Sequence, residues 1–270
     1  MGAGVVVITG ASSGIGREIA FEISTHATAV ALVARRVDRL EALASDLEKK
    51  KPGLKAIAVA CDLVDLSACD AMLAEVESKL GPIDVLVNNA GFGDLGVFDR
   101  ADWTKTKRMI DLNVVSLVYL THKLLRGMVE RARGGVLNIS SGFGLTFGPG
   151  LAAYVGTKHF VSGFSECLRL DLAGTGVAVT QVCPGPVATE FNDTVGNFTG
   201  NEPPAFVVVS ARRVARAAVR GYLKRRALVI PGFWMKLLIP LGMHSPRWVM
   251  RLLYAVAGKL LRKKQLAMQP

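Results

Sequence analysis

Tyr154 and Lys158 stand four apart in "AAYVGTKHF", residues 152–160. Residues four apart on a helix share a face, so a phenol and an ammonium could meet over one patch. A free phenol, with a pKa of about 10, exchanges protons poorly at neutral pH. General acid–base catalysis works best when the group's pKa lies nearer the working pH, and an ammonium one turn away favours the phenolate. The same spacing also arises in ordinary helices, so the chemistry depends on what the chain places nearby. A second candidate is "TGASSGIG", Thr9–Gly16. Small residues between a strand and a helix let the backbone approach a pyrophosphate, which the free N–H groups of the helix start would hold. A tight structural turn is the alternative.

Both stretches sit in a regular alternation. Nearly continuous apolar runs at 4–10, 29–36, 55–62, 83–91, 134–141 and 177–185 read as buried parallel strands. Helical patterns fall between them, at 14–25, 38–50, 67–79, 102–132 and 152–173. Strand and helix repeated in this way predict an α/β fold, one open doubly wound sheet with a ligand crevice at the carboxyl ends of its strands. After about residue 190 the pattern changes. Residues 190–206 are rich in Gly, Asn and Pro and read as a lid over that crevice. Ser210 is a helix cap for a segment to about 226, although Arg212 and Arg213 oppose the dipole of its first turn. "ALVIPG" at 227–232 reads as one more strand, and Ser245 with Pro246 as a helix start. We divide the chain into 1–232 and a C-terminal extension, 233–270.

Composition narrows the class. The chain has 270 residues, half of them hydrophobic and a fifth charged, which is globular. Cys61, Cys69, Cys167 and Cys183 form no C-x-x-C pair and no metal-like cluster with the histidines. They read as reduced core thiols of a cytoplasmic protein, with no metal expected. The N-terminus shows no signal peptide pattern, position 6 is Val6 where myristoylation needs Ser or Thr, and no apolar run would span a bilayer. His122, Met109, Met128 and His159 read as packing or surface residues. Net charge is +11, and its placement is uneven: residues 203–270 hold 14 Lys and Arg and no acidic residue, while 1–202 hold 19 basic and 22 acidic residues.

The glycine spacing Gly10, Gly14, Gly16, the "NNAG" at 88–91 and Tyr154-x-x-x-Lys158 together resemble the short-chain dehydrogenase/reductase family, over residues 4–190 and in the family's order. The resemblance implies a Rossmann-type sheet with helices on both faces and a nicotinamide cofactor held by Gly10, Ser12, Ser13, Gly14, Ile15 and Gly16. It also implies that Asp62 and Leu63 flank the adenine, that Asn88, Asn89, Ala90 and Gly91 line the cofactor, and that Val187 and Thr189 bond the nicotinamide carboxamide. The last pair lies in a loop opened by Pro184 and Gly185, which is otherwise simply a turn. Where NAD-preferring members carry an acidic residue, this chain has Arg35 and Arg36. A guanidinium suits a 2′-phosphate, pointing to NADP(H); two solvated arginines are the alternative.

The same resemblance supplies a catalytic set. Ser141 lies 13 residues before Tyr154, with Ser140 its competitor; alternation along the strand allows only one of them to face the crevice. Tyr154 would transfer the proton, Ser141 would orient the carbonyl, and Lys158 would hold the nicotinamide ribose. Asn113 would support a water path, or else be a buried asparagine bonding backbone. The expected activity is NADP(H)-dependent interconversion of a secondary alcohol and a carbonyl on a small or lipophilic molecule. The expected assembly is a homodimer or homotetramer. A cofactor-binding regulatory or scaffold protein without turnover is the rival. The basic tail has three readings: peripheral association with a membrane, closure over an anionic substrate, or a dimer-packing helix. Nucleic acid is disfavoured, since no stacking platform accompanies the charge.

Overall fold

The computed structural model describes residues 3–191, 195–196 and 203–268, Met268 by its backbone alone. Seven parallel strands form the central sheet: β1 (Gly4–Thr9), β2 (Ala27–Ala34), β3 (Lys55–Ala60), β4 (Ile83–Asn88), β5 (Gly134–Ile139), β6 (Val177–Val182) and β9 (Leu228–Val229), in the order β3-β2-β1-β4-β5-β6-β9. The order reverses between β1 and β4, so the carboxyl ends of these two strands part and leave a crevice.

Both faces of the sheet are buried because every strand sends alternate side chains to opposite sides. Val6 and Ile8 of β1 pack with Ile19 and Ile23 of α1 (Gly14–Ser24), Leu40 and Leu47 of α2 (Val37–Lys50) and Val214 and Ala218 of α7 (Ala211–Leu223). Val5 and Val7 pack on the other face with Met72 and Val76 of α3 (Leu66–Leu80), Leu120 and Leu124 of α5 (Ser116–Glu130) and Leu168 of α6 (Ala152–Asp171). Helix starts follow capping chemistry. Asp65 accepts from the N–H groups of Ser67 and Ala68 before α3, and Asp102 from Thr104 and Lys105 before α4 (Trp103–Ile110).

The structure departs from the sequence expectations at several places. The helix expected over 102–132 is broken into α4 and α5 by a π-helical turn, Asp111–Val115, which carries Asn113. Strand β2 ends at Ala34, so Arg35 and Arg36 lie beyond it, and Arg36 occupies the N-cap position of α2 without a side-chain capping bond. Ser210 does cap α7, accepting from the Arg213 N–H at 3.3 Å, but the helix ends at Leu223, two residues before Arg225 adopts φ 54°. "ALVIPG" contributes only Leu228–Val229 as a strand. Cys61, Cys69 and Cys183 are buried, whereas Cys167 is exposed on α6, the outward face of a helix having no core to offer it.

Two short strands, β7 (Val187–Ala188) and β8 (Val209–Ser210), pair in parallel and bring together the two ends of the stretch expected to be a lid. Residues 192–194 and 197–202 of that stretch lie outside the described residues. The extension forms two helices, α8 (Phe233–His244) and α9 (Arg247–Met268), the first of which the sequence had not marked. Among the described residues, no helix is long and apolar enough to cross a membrane.

Candidate active site

The glycine turn is built on contacts that exclude side chains. Gly10 holds φ +65°, a conformation that costs glycine little, and a β-carbon there would sit 2.9 Å from the Ala90 Cα. At Gly16 a β-carbon would overlap the Gly10 carbonyl and the Asn89 amide. Asn89 keeps the turn in place, its Nδ2 donating to the carbonyls of Thr9 (2.9 Å) and Gly10 (3.2 Å). The Thr9 hydroxyl accepts from the N–H groups of Asn89 and Ala90. Gly16→Ala is therefore expected to lower stability by about 1–3 kcal/mol, as overpacking does. It should also weaken nucleotide binding at the turn. A melting curve with and without nucleotide checks both effects; an unchanged melting temperature would refute the close packing.

Arg36 reaches back over this turn. Its guanidinium donates to Ser12 Oγ (3.0 Å) and Ser13 Oγ (2.9 Å) and pairs with Glu190 at 3.0 Å. Arg39, one turn further along α2, pairs with the same carboxylate at 2.7 Å. Hydrogen bonds from Arg39 and then Arg36 pull the Glu190 carboxyl down to about 2. Sequence reading missed both Arg39 and Glu190. The three-residue spacing from Arg36 to Arg39 was a signal for the first, while Glu190 comes from 151 residues away in sequence and had none. Ile15 packs against the core and Thr189 lies over Gly14.

The neighbouring expected cofactor residues divide between the crevice and the core. Asp62 accepts from Arg108 at 2.7 Å, another partner not foreseen. Burial alone would raise its carboxyl, but the bonds from Arg108 and the Val64 N–H outweigh that and hold it low. The Leu63 side chain is buried in the core, leaving its carbonyl to accept from Ser116 Oγ. Asn88 is a sheet residue, its amide donating to Thr121 and Asn138. Gly91 leaves space that a β-carbon would fill 2.8 Å from Asn113 Oδ1. Val187 belongs to β7, Thr189 Oγ1 accepts from the Phe191 N–H at 3.3 Å, and Gly185 lies under Met235 of α8.

At the end of β5 the two serines part. Ser140 turns inward, bonding the Lys158 carbonyl (3.1 Å) and Ser162 (2.9 Å). Ser141 turns to the crevice, where its Oγ accepts from the Phe143 N–H at 3.1 Å and also interacts with Tyr154. Burial pushes the Tyr154 phenol up to about 12, against the lowering influence of that hydrogen bond to Ser141. Burial likewise brings the Lys158 ammonium down to about 8. Its Nζ donates to the Ile139 carbonyl at 3.0 Å and lies 5.8 Å from the Tyr154 ring centroid. The two side chains share a helix face without touching head to head. Asn113 bonds backbone, accepting from the Phe92 N–H and donating to its carbonyl, and also donates to Thr157. Phe191 closes one side, its ring 5.8 Å from that of Tyr154.

The seven-stranded parallel sheet, with helices on both faces and a glycine turn after its first strand, is a fold shared with known proteins. Residues 4–199 match the family model described as short chain dehydrogenase, and the chain belongs to that family. It is 38% identical over 203 residues to the NADP-dependent 3-hydroxy acid dehydrogenase YdfG of Salmonella typhi, a match covering 74% of this chain and 79% of the relative. The fold also follows that of a short-chain dehydrogenase from Sphingobium yanoikuyae in complex with NADPH, with a TM-score of 0.75, 30% identity and 98% and 96% of the two chains covered. Some relatives are much longer: the match, 36% identical and covering 69% of this chain, spans only 14% of the glycine betaine reductase ATRR of Emericella nidulans.

Proposed function

We propose that this chain is an NADP(H)-dependent oxidoreductase that interconverts a secondary alcohol and a carbonyl on a lipophilic molecule. The observation that carries the reading is the buried Tyr154 phenol turned toward Ser141, with Lys158 beside it, in a crevice whose other end is the arginine-topped glycine turn. The donor set suits the cofactor. Glycine at 10, 14 and 16 leaves the backbone of the turn open to a pyrophosphate, and Arg36 and Arg39 already hold one anionic group, the Glu190 carboxylate, where a 2′-phosphate would need cations. YdfG is named as NADP-dependent and the Sphingobium protein is bound to NADPH, which favours the same choice.

When bound, the cofactor would supply or take up the hydride. Tyr154 would give its proton to the carbonyl oxygen during reduction, and Ser141 would donate a hydrogen bond to that oxygen and fix its position. Lys158, held by the Ile139 carbonyl, would keep a positive charge beside the ionising phenol. Asn113, locked by Phe92 and Thr157, would keep the π turn in register with α6. Phe191, Met235 and Ile239 give the surroundings an apolar cast, which supports a lipophilic substrate. We read the protein further as cytoplasmic, its four cysteines being free, and, from its family, as a homo-oligomer.

The test begins with nucleotide affinity. Arg36→Ala with Arg39→Ala should raise the Kd for NADPH about 100-fold, the effect of losing charge-assisted bonds, and leave that for NADH within a few-fold. Glu190→Gln should shift NADPH affinity the opposite way, because a competing carboxylate is neutralised. Fluorescence titration reads all three; equal effects on both nucleotides would overturn the NADP(H) assignment. A panel of ketones, aldehydes and acyl thioesters, followed by NADPH absorbance, then tests turnover. Binding without oxidation across the panel would favour a cofactor-binding scaffold.

A further inference from the structure

We propose that α8 and α9 together form a docking face for an anionic lipid bilayer, on which the protein lies peripherally. Their inner faces are occupied. Ile239 of α8 lies over Gly142, Tyr254 of α9 meets the Phe147 ring edge-on at 5.7 Å, Leu261 lies against Gly150, and Gln265 accepts from the Val97 N–H at 2.7 Å. Both helices thus pack on the loop 142–150, α9 also on Val97, and the side chains on their opposite faces are exposed.

Those outer faces are apolar. Leu237 and Leu241 recur at i, i+4 on α8, as do Trp248, Leu252 and Val256 on α9. Leu241, Trp248 and Leu252 retain 65%, 65% and 64% of their surface exposed. Isolated exposed leucines are ordinary, but two successive helices that each expose an i, i+4 row of Leu, Val or Trp leave more apolar surface in one stretch of chain than soluble monomers usually do. The charge around the rows identifies the occupant. Lys236, Arg247, Arg251, Lys259 and Lys263 are exposed beside them, and no acidic residue occurs anywhere from 203 to 270.

A second copy meeting this face across a two-fold axis would bring two acid-free basic surfaces together, and their repulsion opposes that contact. A bilayer with anionic headgroups offers both complements at once. Trp and Leu enter the boundary with the acyl chains, while Lys and Arg extend their charges to the headgroups. No spanning segment is required, and none is found among the described residues. The inference is independent of the cofactor reading, since it concerns the outer surface alone.

Co-sedimentation of the full chain with vesicles tests it. The protein should pellet with phosphatidylcholine vesicles containing phosphatidylglycerol and not with pure phosphatidylcholine, and raising salt to about 0.5 M should weaken the binding. Leu252→Ser with Val256→Ser should lower partitioning at least about tenfold at an unchanged melting temperature. If that pair unfolds the chain, Lys259→Glu with Lys263→Glu, both outward-facing, should produce a comparable loss. Wild-type protein left in the supernatant with anionic vesicles, equal pelleting on neutral ones, or folded variants that pellet like wild type would each overturn the proposal. So would a dimer in ultracentrifugation that the Leu252 and Val256 changes dissociate while no form pellets, because a second copy would then cover the face.

Discussion

Replacing Tyr154 by Phe should reduce turnover of any accepted carbonyl by about 10²–10⁴-fold, the worth of a positioned general acid, and leave NADPH affinity nearly unchanged. The substitution removes one oxygen from a side chain that is 7% exposed, so the ring keeps its packing against Phe191 and the fold should hold. The pH profile adds a second readout. Burial raises the phenol to about 12, so the proton needed for reduction stays on the tyrosine throughout the neutral range. Reduction should therefore be flat in pH there, whereas oxidation, which needs the phenolate, should accelerate as pH rises. Residual activity near wild type, or an oxidation rate that falls with rising pH, would remove Tyr154 from the proton-transfer role. Stopped-flow or steady-state absorbance of NADPH measures each.

Lys158→Met should have effects of opposite sign on activity and stability. Activity should fall by about 10²–10³-fold, because the charge that favours the phenolate disappears from a site with little water to replace it. Stability should rise. The ammonium is buried and its pKa falls from 10.5 to about 8, which corresponds to an unfavourable contribution of about 3 kcal/mol at neutral pH. Loss of the bond to the Ile139 carbonyl takes back about 1 kcal/mol, leaving a net gain of about 2 kcal/mol. Between pH 8 and 10.5 the unfolded chain holds the lysine proton and the folded one does not. Wild-type stability should accordingly climb with pH across that window, and the variant should lose that part of the slope. Denaturant melts at pH 7 and pH 10 for both proteins decide it; a destabilised variant with an unchanged slope would mean that the lysine is not paying a burial cost.

Much of this molecule is legible from local pattern. Apolar runs without alternation mark strands buried on both faces, and the helical stretches between them force parallel connections, so the doubly wound sheet follows. Gly10 and Gly16 are required by backbone approach, and Tyr154 and Lys158 share a helix face because four residues make about one turn. Strand alternation separates Ser140 from Ser141, and the structure turns Ser141 toward Tyr154 and Ser140 toward Ser162. These features depend on neighbours in the chain or on a repeat of fixed period.

Other features exist only through contacts between distant segments. Glu190 meets Arg36 and Arg39, Arg108 meets Asp62, and Gln265 reaches the Val97 N–H across 168 positions of sequence. The state of the Tyr154 and Lys158 pair was likewise set by burial. An ammonium four residues from a phenol suggests a lowered tyrosine, yet the enclosed site raises Tyr154 and lowers Lys158, and the lysine bonds a strand carbonyl instead of the hydroxyl. Desolvation depends on everything packed around a group, and no spacing encodes it. The same holds for the tail. Its composition by itself allowed a membrane, a substrate or a second subunit, and only the docking of α8 and α9 on loop 142–150 decided which side chains are spent on the protein and which face outward.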